Sequence, residues 1–282
     1  MKNLNIGVRA HDFSPGTPEQ VALELSQYPI SCVQLALPKS FPFIEDDPEL
    51  LTEAFARRTA RAFADENLQI GVLGCYINPV HPDPASREAS LSWFEKHLEL
   101  ASAFGCNIVG TETGSRNADC TFHPDNLTAS AFDDLVESVS RLAATAEKYQ
   151  VNVGIEGVAH HHIINSAERM AELLKQVNSP NAKVIYDPVN LYPQTMTGRQ
   201  EDELNKSLAI FGDRIVAIHC KDYVLNNHNK EGDLPSGTGR MNHRHLLAWI
   251  QKNAPDVPVI LENTSHENVS SVLSFMQTQL SA

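Results

Sequence analysis

The chain has 282 residues, 42% hydrophobic and 20% charged, with 22 Lys plus Arg against 35 Asp plus Glu for a formal net charge of −13. That make-up belongs to a globular protein and excludes a disordered or fibrous one. The acid excess, with no Lys/Arg-rich block, speaks against nucleic acid as a partner, because such a partner needs a basic face to release counterions.

The longest apolar stretches, such as residues 70–77, fall far short of the ~20 residues a bilayer requires, so no membrane association is expected. Residues 1–9 run straight into a strand pattern without a leader's apolar core. Cys32, Cys75, Cys106, Cys120 and Cys220 stand singly with no CxxC. Neither a disulfide framework nor a zinc knuckle is expected, and reduced thiols place the chain in the cytoplasm.

Taken in chain order, short β-branched apolar runs alternate with longer amphipathic stretches. Strands are predicted at Leu4–Arg9, Ile30–Leu37, Leu68–Ile77, Asn107–Thr111, Val151–Glu156, Lys183–Asp187, Ile215–His219 and Val257–Glu262. Several are continuously apolar, as parallel strands covered on both faces should be. Thr17-Pro18-Glu19 places a cap, a first-turn proline and an acid before the helix through Val21–Leu25. Asp47-Pro48-Glu49 repeats that device before Leu51, Ala54, Phe55, Arg58, Ala62 and Phe63 at helical spacing. Further helices are predicted at Ser86–Phe104, Ala129–Tyr149, Ser166–Val177, Glu201–Phe211, His243–Lys252 and Glu267–Leu280, with Trp93 and Trp249 on helices as core or interface residues.

Strand starts recur at a mean interval of about 36 residues, one βα unit per step. No Pro/Gly/Ser-rich linker interrupts them, so residues 1–282 are expected to form one (β/α)8 TIM-barrel domain. An open doubly wound sheet is the alternative, but no GxGxxG follows the first strand: Ile6-Gly7-Val8-Arg9-Ala10 leads into His11-Asp12.

Barrels of this kind do chemistry at the C-terminal ends of their strands. The fifth to eighth predicted strands close on Glu156, Asp187, His219 and Glu262, each preceded by apolar residues. One strand-end acid is most simply a helix cap or an ion-pair partner. Three carboxylates and an imidazole converging on one apolar mouth would be costly without a cation. That donor set suits Mn²⁺, Mg²⁺ or Co²⁺ better than a structural zinc.

These segments carry a resemblance. Gly154-Ile155-Glu156, Val184-Ile185-Tyr186-Asp187-Pro188-Val189-Asn190, Ile215–Asp222 and Val259-Ile260-Leu261-Glu262, in this order, resemble the sugar phosphate isomerase/epimerase group of xylose isomerase-like TIM barrels, over nearly the whole chain. That group includes ketose 3-epimerases, hydroxypyruvate isomerases and inosose dehydratases. The resemblance implies Glu156, Asp187, His219 and Glu262 as ligands of a divalent metal, Mn²⁺ first, with Mg²⁺, Co²⁺ or Zn²⁺ as alternatives. It also implies Glu156 and Glu262 as the acid/base pair, with Glu156 removing a proton next to a carbonyl to give a cis-enediolate. His161, within His160-His161-His162, is implied as a substrate contact, and Pro235-Ser236-Gly237-Thr238-Gly239 as the group's glycine-rich loop.

Tyr76–Asp83 resembles a loop near the substrate mouth. Glu112, ending the fourth strand, either faces the mouth or caps a helix. Lys221 either contacts substrate or pairs with Asp222 or another acid. The epimerases place His three positions after the sixth-strand Asp, where this chain has Asn190, expected in its place as a substrate contact, and often carry an Arg after the seventh-strand His, where Lys221 and Asp222 stand.

The expected partner is a small carbohydrate, with homodimer and homotetramer both open. The activity expected is isomerisation or epimerisation. The alternatives are a keto-polyol dehydratase, a sugar-binding barrel without chemistry, and an apurinic-site endonuclease-like hydrolase, against which the charge and Asn190 both count.

Overall fold

The computed structural model describes residues 4–195 and 199–281, so the first three residues of the stretch read for a leader lie outside the described residues. Eight parallel strands close into a barrel: β1 (Asn5–Arg9), β2 (Cys32–Leu35), β3 (Gln69–Gly74), β4 (Ile108–Glu112), β5 (Asn152–Glu156), β6 (Ala182–Tyr186), β7 (Ile215–Cys220) and, after a hairpin of β8 (Asp222–Asn226) and β9 (Asn229–Leu234), β10 (Pro258–Leu261). The ring runs β1-β10-β7-β6-β5-β4-β3-β2. All eight predicted strands are present; most are trimmed at one or both ends, while β4 and β6 are shifted by one residue and β7 runs on to Cys220. The apolar runs arise because helices cover the outer face while side chains fill the interior; every residue of β2 and β10 is buried.

Packing inside the barrel leans on small residues. Gly110 and Gly154 are register partners on β4 and β5. A Cβ on Gly110 would lie 2.6 Å from Ile185 Cδ1, and one on Gly154 2.8 Å from Ile185 Cγ1. The two glycines leave the room that the Ile185 side chain occupies.

The first helix, Pro18–Leu25, starts as expected. Thr17 Oγ1 accepts from Gln20 N while Gln20 Oε1 accepts from Thr17 N, a reciprocal box with Pro18 at the first helical position. Asp47 does not start the following long helix. Its side chain caps only the short 3₁₀ turn Pro48–Leu50, and Thr52, accepting from Phe55 N, caps the helix Glu53–Asp65. Both sites carry an oxygen acceptor ahead of an acid, but only Thr52 is followed by an uninterrupted helical register.

Two departures shape the mouth. The predicted second strand stops at Leu35, and residues 37–40 and 42–46 turn helical, which leaves Lys39 exposed above the strand ends. The β8–β9 hairpin was not expected from the hydrophobic pattern. Its two turn residues, Asn227 and His228, both take positive φ (49° and 68°), as a tight hairpin of this hand requires. Asparagine at 226, 227 and 229 was the available signal. The hairpin is fastened to the segment after β6: Lys230 Nζ donates to the carbonyls of Val189 and Tyr192, and Lys230 N to Gln194 O at 2.7 Å. Trp93 and Trp249 are half-buried against the core. The five cysteines are free.

Candidate active site

The C-terminal ends of the strands surround a cavity of about 560 Å³ whose walls include Arg9, Tyr76, Glu112, Glu156, His161, Asn190, Lys221, Asp233 and Glu262. At its base, ligand atoms of Glu156, Asp187 and His219 lie within 4.8 Å of one another. His219 Nδ1 stands 3.2 Å from Glu156 Oε2 and 3.3 Å from Glu262 Oε1, so the fourth strand-end residue joins the same cluster. All four residues are buried. The convergence follows from barrel geometry: each lies at or within one residue of the C-terminal end of its strand, and parallel strands deliver those ends to one rim.

Strand periodicity also sorts the run His219-Cys220-Lys221-Asp222, since alternate residues face opposite ways. Lys221 shares the inward side with His219. Its ammonium lies 3.2 Å from Asp187 Oδ2, 3.1 Å from Glu262 Oε2 and 3.2 Å from Asp233 Oδ1 on the hairpin. Of the two sequence readings for Lys221, pairing with an acid is observed, but the acids are these three and not its neighbour Asp222. Asp222 faces the other way and accepts from Gly237 N at 2.9 Å and Met241 N at 2.8 Å. It thereby ties down the Pro235–Gly239 loop, where Gly237 has φ 91° and a Cβ on Gly239 would approach Tyr223 O to 2.3 Å.

The electrostatics are uneven. Burial works against ionising Glu262, but Lys221, His219 and Arg9 outweigh it and hold this carboxyl well below the usual range. Arg9 Nη1 is 3.1 Å from Glu262 Oε1, and the guanidinium is steadied by Asp12 at 2.9 Å and Asn263 Oδ1 at 2.9 Å. Glu156 has no Lys or Arg at ion-pair distance among the described residues. Its Oε1 accepts from Asn190 Nδ2 at 2.6 Å, and Asn190 N donates to Asp187 Oδ1 at 2.9 Å. Asn190, expected at the substrate, therefore lines the cavity while spanning two of the acids.

Burial pushes Asp187 up to about 6 against the pull of Lys221. Burial also opposes charge on His219, but the carboxylates of Glu156 and Glu262 raise it to about 9. Burial, together with the charges of Glu156 and Glu262, raises Glu112 to about 8. Glu112 faces the cavity with His162 Nε2 at 3.8 Å, and burial lowers that imidazole to about 4. His161 lines the same wall, and its carbonyl accepts from Asn126.

Site residues that escaped the sequence reading include Arg9, Gln34, Asp233 and Tyr76 as an individual group. Gln34 is fully buried, and its Oε1 lies 2.8 Å from His219 Nε2. A lone amide inside the apolar run of the second strand was its signal, and a charge closing the first strand was that of Arg9.

A family model described as the xylose isomerase-like TIM barrel matches residues 23–279. The chain belongs to the xylose isomerase-like TIM barrel family. It is 25% identical over 175 residues to a probable L-ribulose-5-phosphate 3-epimerase, UlaE, of Mycoplasma pneumoniae, a match that covers 62% of this chain and 52% of that protein. The chain thus spans about half the length of that curated relative. Among solved structures, a D-tagatose 3-epimerase-like protein superposes with a TM-score of 0.78 at 16% identity, over 99% of this chain and 97% of that one. The IOLI protein with a bound zinc atom superposes with a TM-score of 0.70 at 15% identity, over 98% and 96%. At these identities the two structures share the fold.

A divalent cation fits this xylose isomerase-like barrel on its own donor chemistry. His219 Nδ1 is a buried atom without a hydrogen-bond partner, and the carboxylates of Glu156 and Glu262 face it at 3.2 and 3.3 Å. Unpartnered buried polar atoms are costly, and a hard or borderline cation takes carboxylate oxygen and imidazole nitrogen together.

Proposed function

We propose that this protein is a divalent-metal-dependent epimerase or isomerase of a sugar or sugar phosphate, working by proton transfer next to a carbonyl through a cis-enediolate. The observation that carries this reading is the buried convergence of Glu156, Asp187 and His219, with Glu262 against the same imidazole, at the base of a polar cavity. The likeness to a probable pentulose phosphate 3-epimerase supports it. Glu156, Asp187, His219 and Glu262 would hold the metal, Mn²⁺ in the first instance, with Mg²⁺, Co²⁺ or Zn²⁺ as alternatives. When bound it supplies Lewis acidity, which polarises the carbonyl and acidifies the neighbouring C–H.

The two glutamates are the acid/base pair, and their surroundings set them apart. Glu262 is held ionised by Lys221, His219 and Arg9, whereas Glu156 meets the Asn190 amide and the His219 imidazole and, among the described residues, no Lys or Arg. In a two-base exchange one carboxyl takes the proton while the other returns one, and the direction of turnover swaps the roles. A proton returned to the same carbon from the opposite face inverts it; one returned to the adjacent carbon moves the carbonyl. Glu112, His161 and Lys221 would hold the substrate's oxygens along the wall, and Asn190 would hold Glu156 toward them.

Glu112 favours a second reading. Raised to about 8, it is largely protonated at neutral pH and could give its proton to a departing β-hydroxyl, which would make the protein a keto-polyol dehydratase.

Proton NMR in D₂O decides between them. The Mn²⁺-loaded protein is incubated with ketoses, ketose phosphates, hydroxypyruvate and keto-inositols, and the metal is removed before recording. Deuterium should enter a C–H beside a carbonyl, and Glu156→Gln should slow that entry by at least ~100-fold. An alkene or deoxy-keto product would select the dehydratase. No deuterium uptake across the panel, with metal bound, overturns the proton-abstraction reading.

A further inference from the structure

Gln34 bonds across the barrel. β2 and β7 are separated in the ring by β1 and β10, so its contact with His219 spans the interior. Its amide is held at both ends: Oε1 faces His219 Nε2 at 2.8 Å, and Nε2 donates to the Tyr76 hydroxyl. A neutral imidazole has one N–H and one lone pair, and the partner of one nitrogen decides what the other offers.

We infer that Gln34 is a positioning residue that fixes the tautomer of His219. An oxygen opposite Nε2 requires the ring proton there. In the neutral ring that a metal would take, Nδ1 then offers its lone pair toward Glu156, Asp187 and Glu262, whose ligand atoms surround it. The reversed amide would place an NH₂ opposite Nε2, drive the proton to Nδ1, and remove the nitrogen donor from the cluster. Tyr76 holds the amide the right way round. Its hydroxyl oxygen accepts from the Gln34 NH₂, which leaves the amide oxygen for His219 Nε2. Because Tyr76 also lines the cavity, a ligand touching it acts on the far side of the same hydrogen-bonded row.

This inference rests on the metal-centred reading above, and the test separates the two. Mn²⁺ affinity is measured by electron paramagnetic resonance for the wild type, Gln34→Leu, Gln34→Glu and Tyr76→Phe. Histidine tautomers are read from long-range ¹H–¹⁵N NMR of the Zn²⁺-loaded forms. Gln34→Leu should weaken Mn²⁺ binding by roughly 10- to 100-fold, while Gln34→Glu, which keeps an oxygen there, should stay within about threefold of wild type. Tyr76→Phe should fall between them. The loaded wild type should show His219 protonated at Nε2 and metal-shifted at Nδ1. Wild-type affinity in Gln34→Leu, or a loaded wild type protonated at Nδ1, overturns the inference alone. Absence of Mn²⁺ binding by the wild type overturns the metal-centred reading and the inference with it. Should Gln34→Leu not fold, the wild-type tautomer decides.

Discussion

At the scale of single residues, the site is a balance of buried charges. Lys221 faces Asp187, Glu262 and Asp233 at 3.1–3.2 Å, and these carboxylates keep it charged although burial opposes that. Removing one partner of a buried ion pair leaves the others uncompensated, at a cost of ~3–5 kcal/mol. Lys221→Met should therefore lower the stability of the metal-free protein by about 3 kcal/mol in urea titrations. A divalent cation supplies positive charge to the same carboxylates, so saturating Mn²⁺ should recover much of the loss. An equal deficit with and without metal would place the cation elsewhere.

At the scale of elements, the helix Pro84–Leu100 carries a titratable group unrelated to the site. His97 is fully buried; its Nδ1 pairs with Trp93 O at 2.9 Å and its ring packs edge-on against Trp93 at 4.8 Å. Burial lowers it to about 4. In the unfolded chain it takes up a proton below about 6.5, and in the folded chain only below about 4, so acid favours unfolding across that window. The stability it withdraws grows as pH falls from 6.5 and levels off near 4, reaching roughly 3 kcal/mol. Urea unfolding of wild type and His97→Leu at several pH values between 7 and 4.5 should show the flatter profile in the variant. Parallel profiles would mean that His97 does not remain neutral in the folded chain. The hairpin β8–β9 is the other element with a consequence beyond itself, since it brings Lys230 and Asp233 to a cavity that the eight strand ends alone would leave open on that side.

At the scale of the molecule, a cluster drawn from β5, β6, β7 and β10 ties four of the eight barrel positions to one another. A ligand that binds only the folded barrel stabilises it by mass action, by about 2.7 kcal/mol at a hundredfold excess over its dissociation constant. Chelation should lower the melting temperature, and Mn²⁺ should restore it in a concentration-dependent way that Asp187→Ala lacks. A melting temperature indifferent to chelator and to Mn²⁺ would argue that the four residues are an ion-pair network and nothing more. No helix among the described residues is long and apolar enough to cross a membrane.

What the chain determined by itself is what depends on neighbours in sequence. The eight apolar runs and the helices between them are legible because strand and helix periods are local, and parallel strands covered on both faces are apolar throughout. Glu156, Asp187, His219 and Glu262 were legible for the same reason, each being the first ionisable group after a buried run. The misses have the opposite character. Asp47 and Thr52 are equivalent as caps until the path of the backbone selects one. Lys221 chose Asp187, Glu262 and Asp233 over the adjacent Asp222 because alternation along the strand points the neighbours apart. Gln34 and His219 lie 185 positions apart and meet only because the sheet closes. Closure sets which polar groups face one another across the interior, and burial then makes every such pairing strong. Partner choice was therefore a property of the tertiary structure, while the identity of the elements was a property of the sequence.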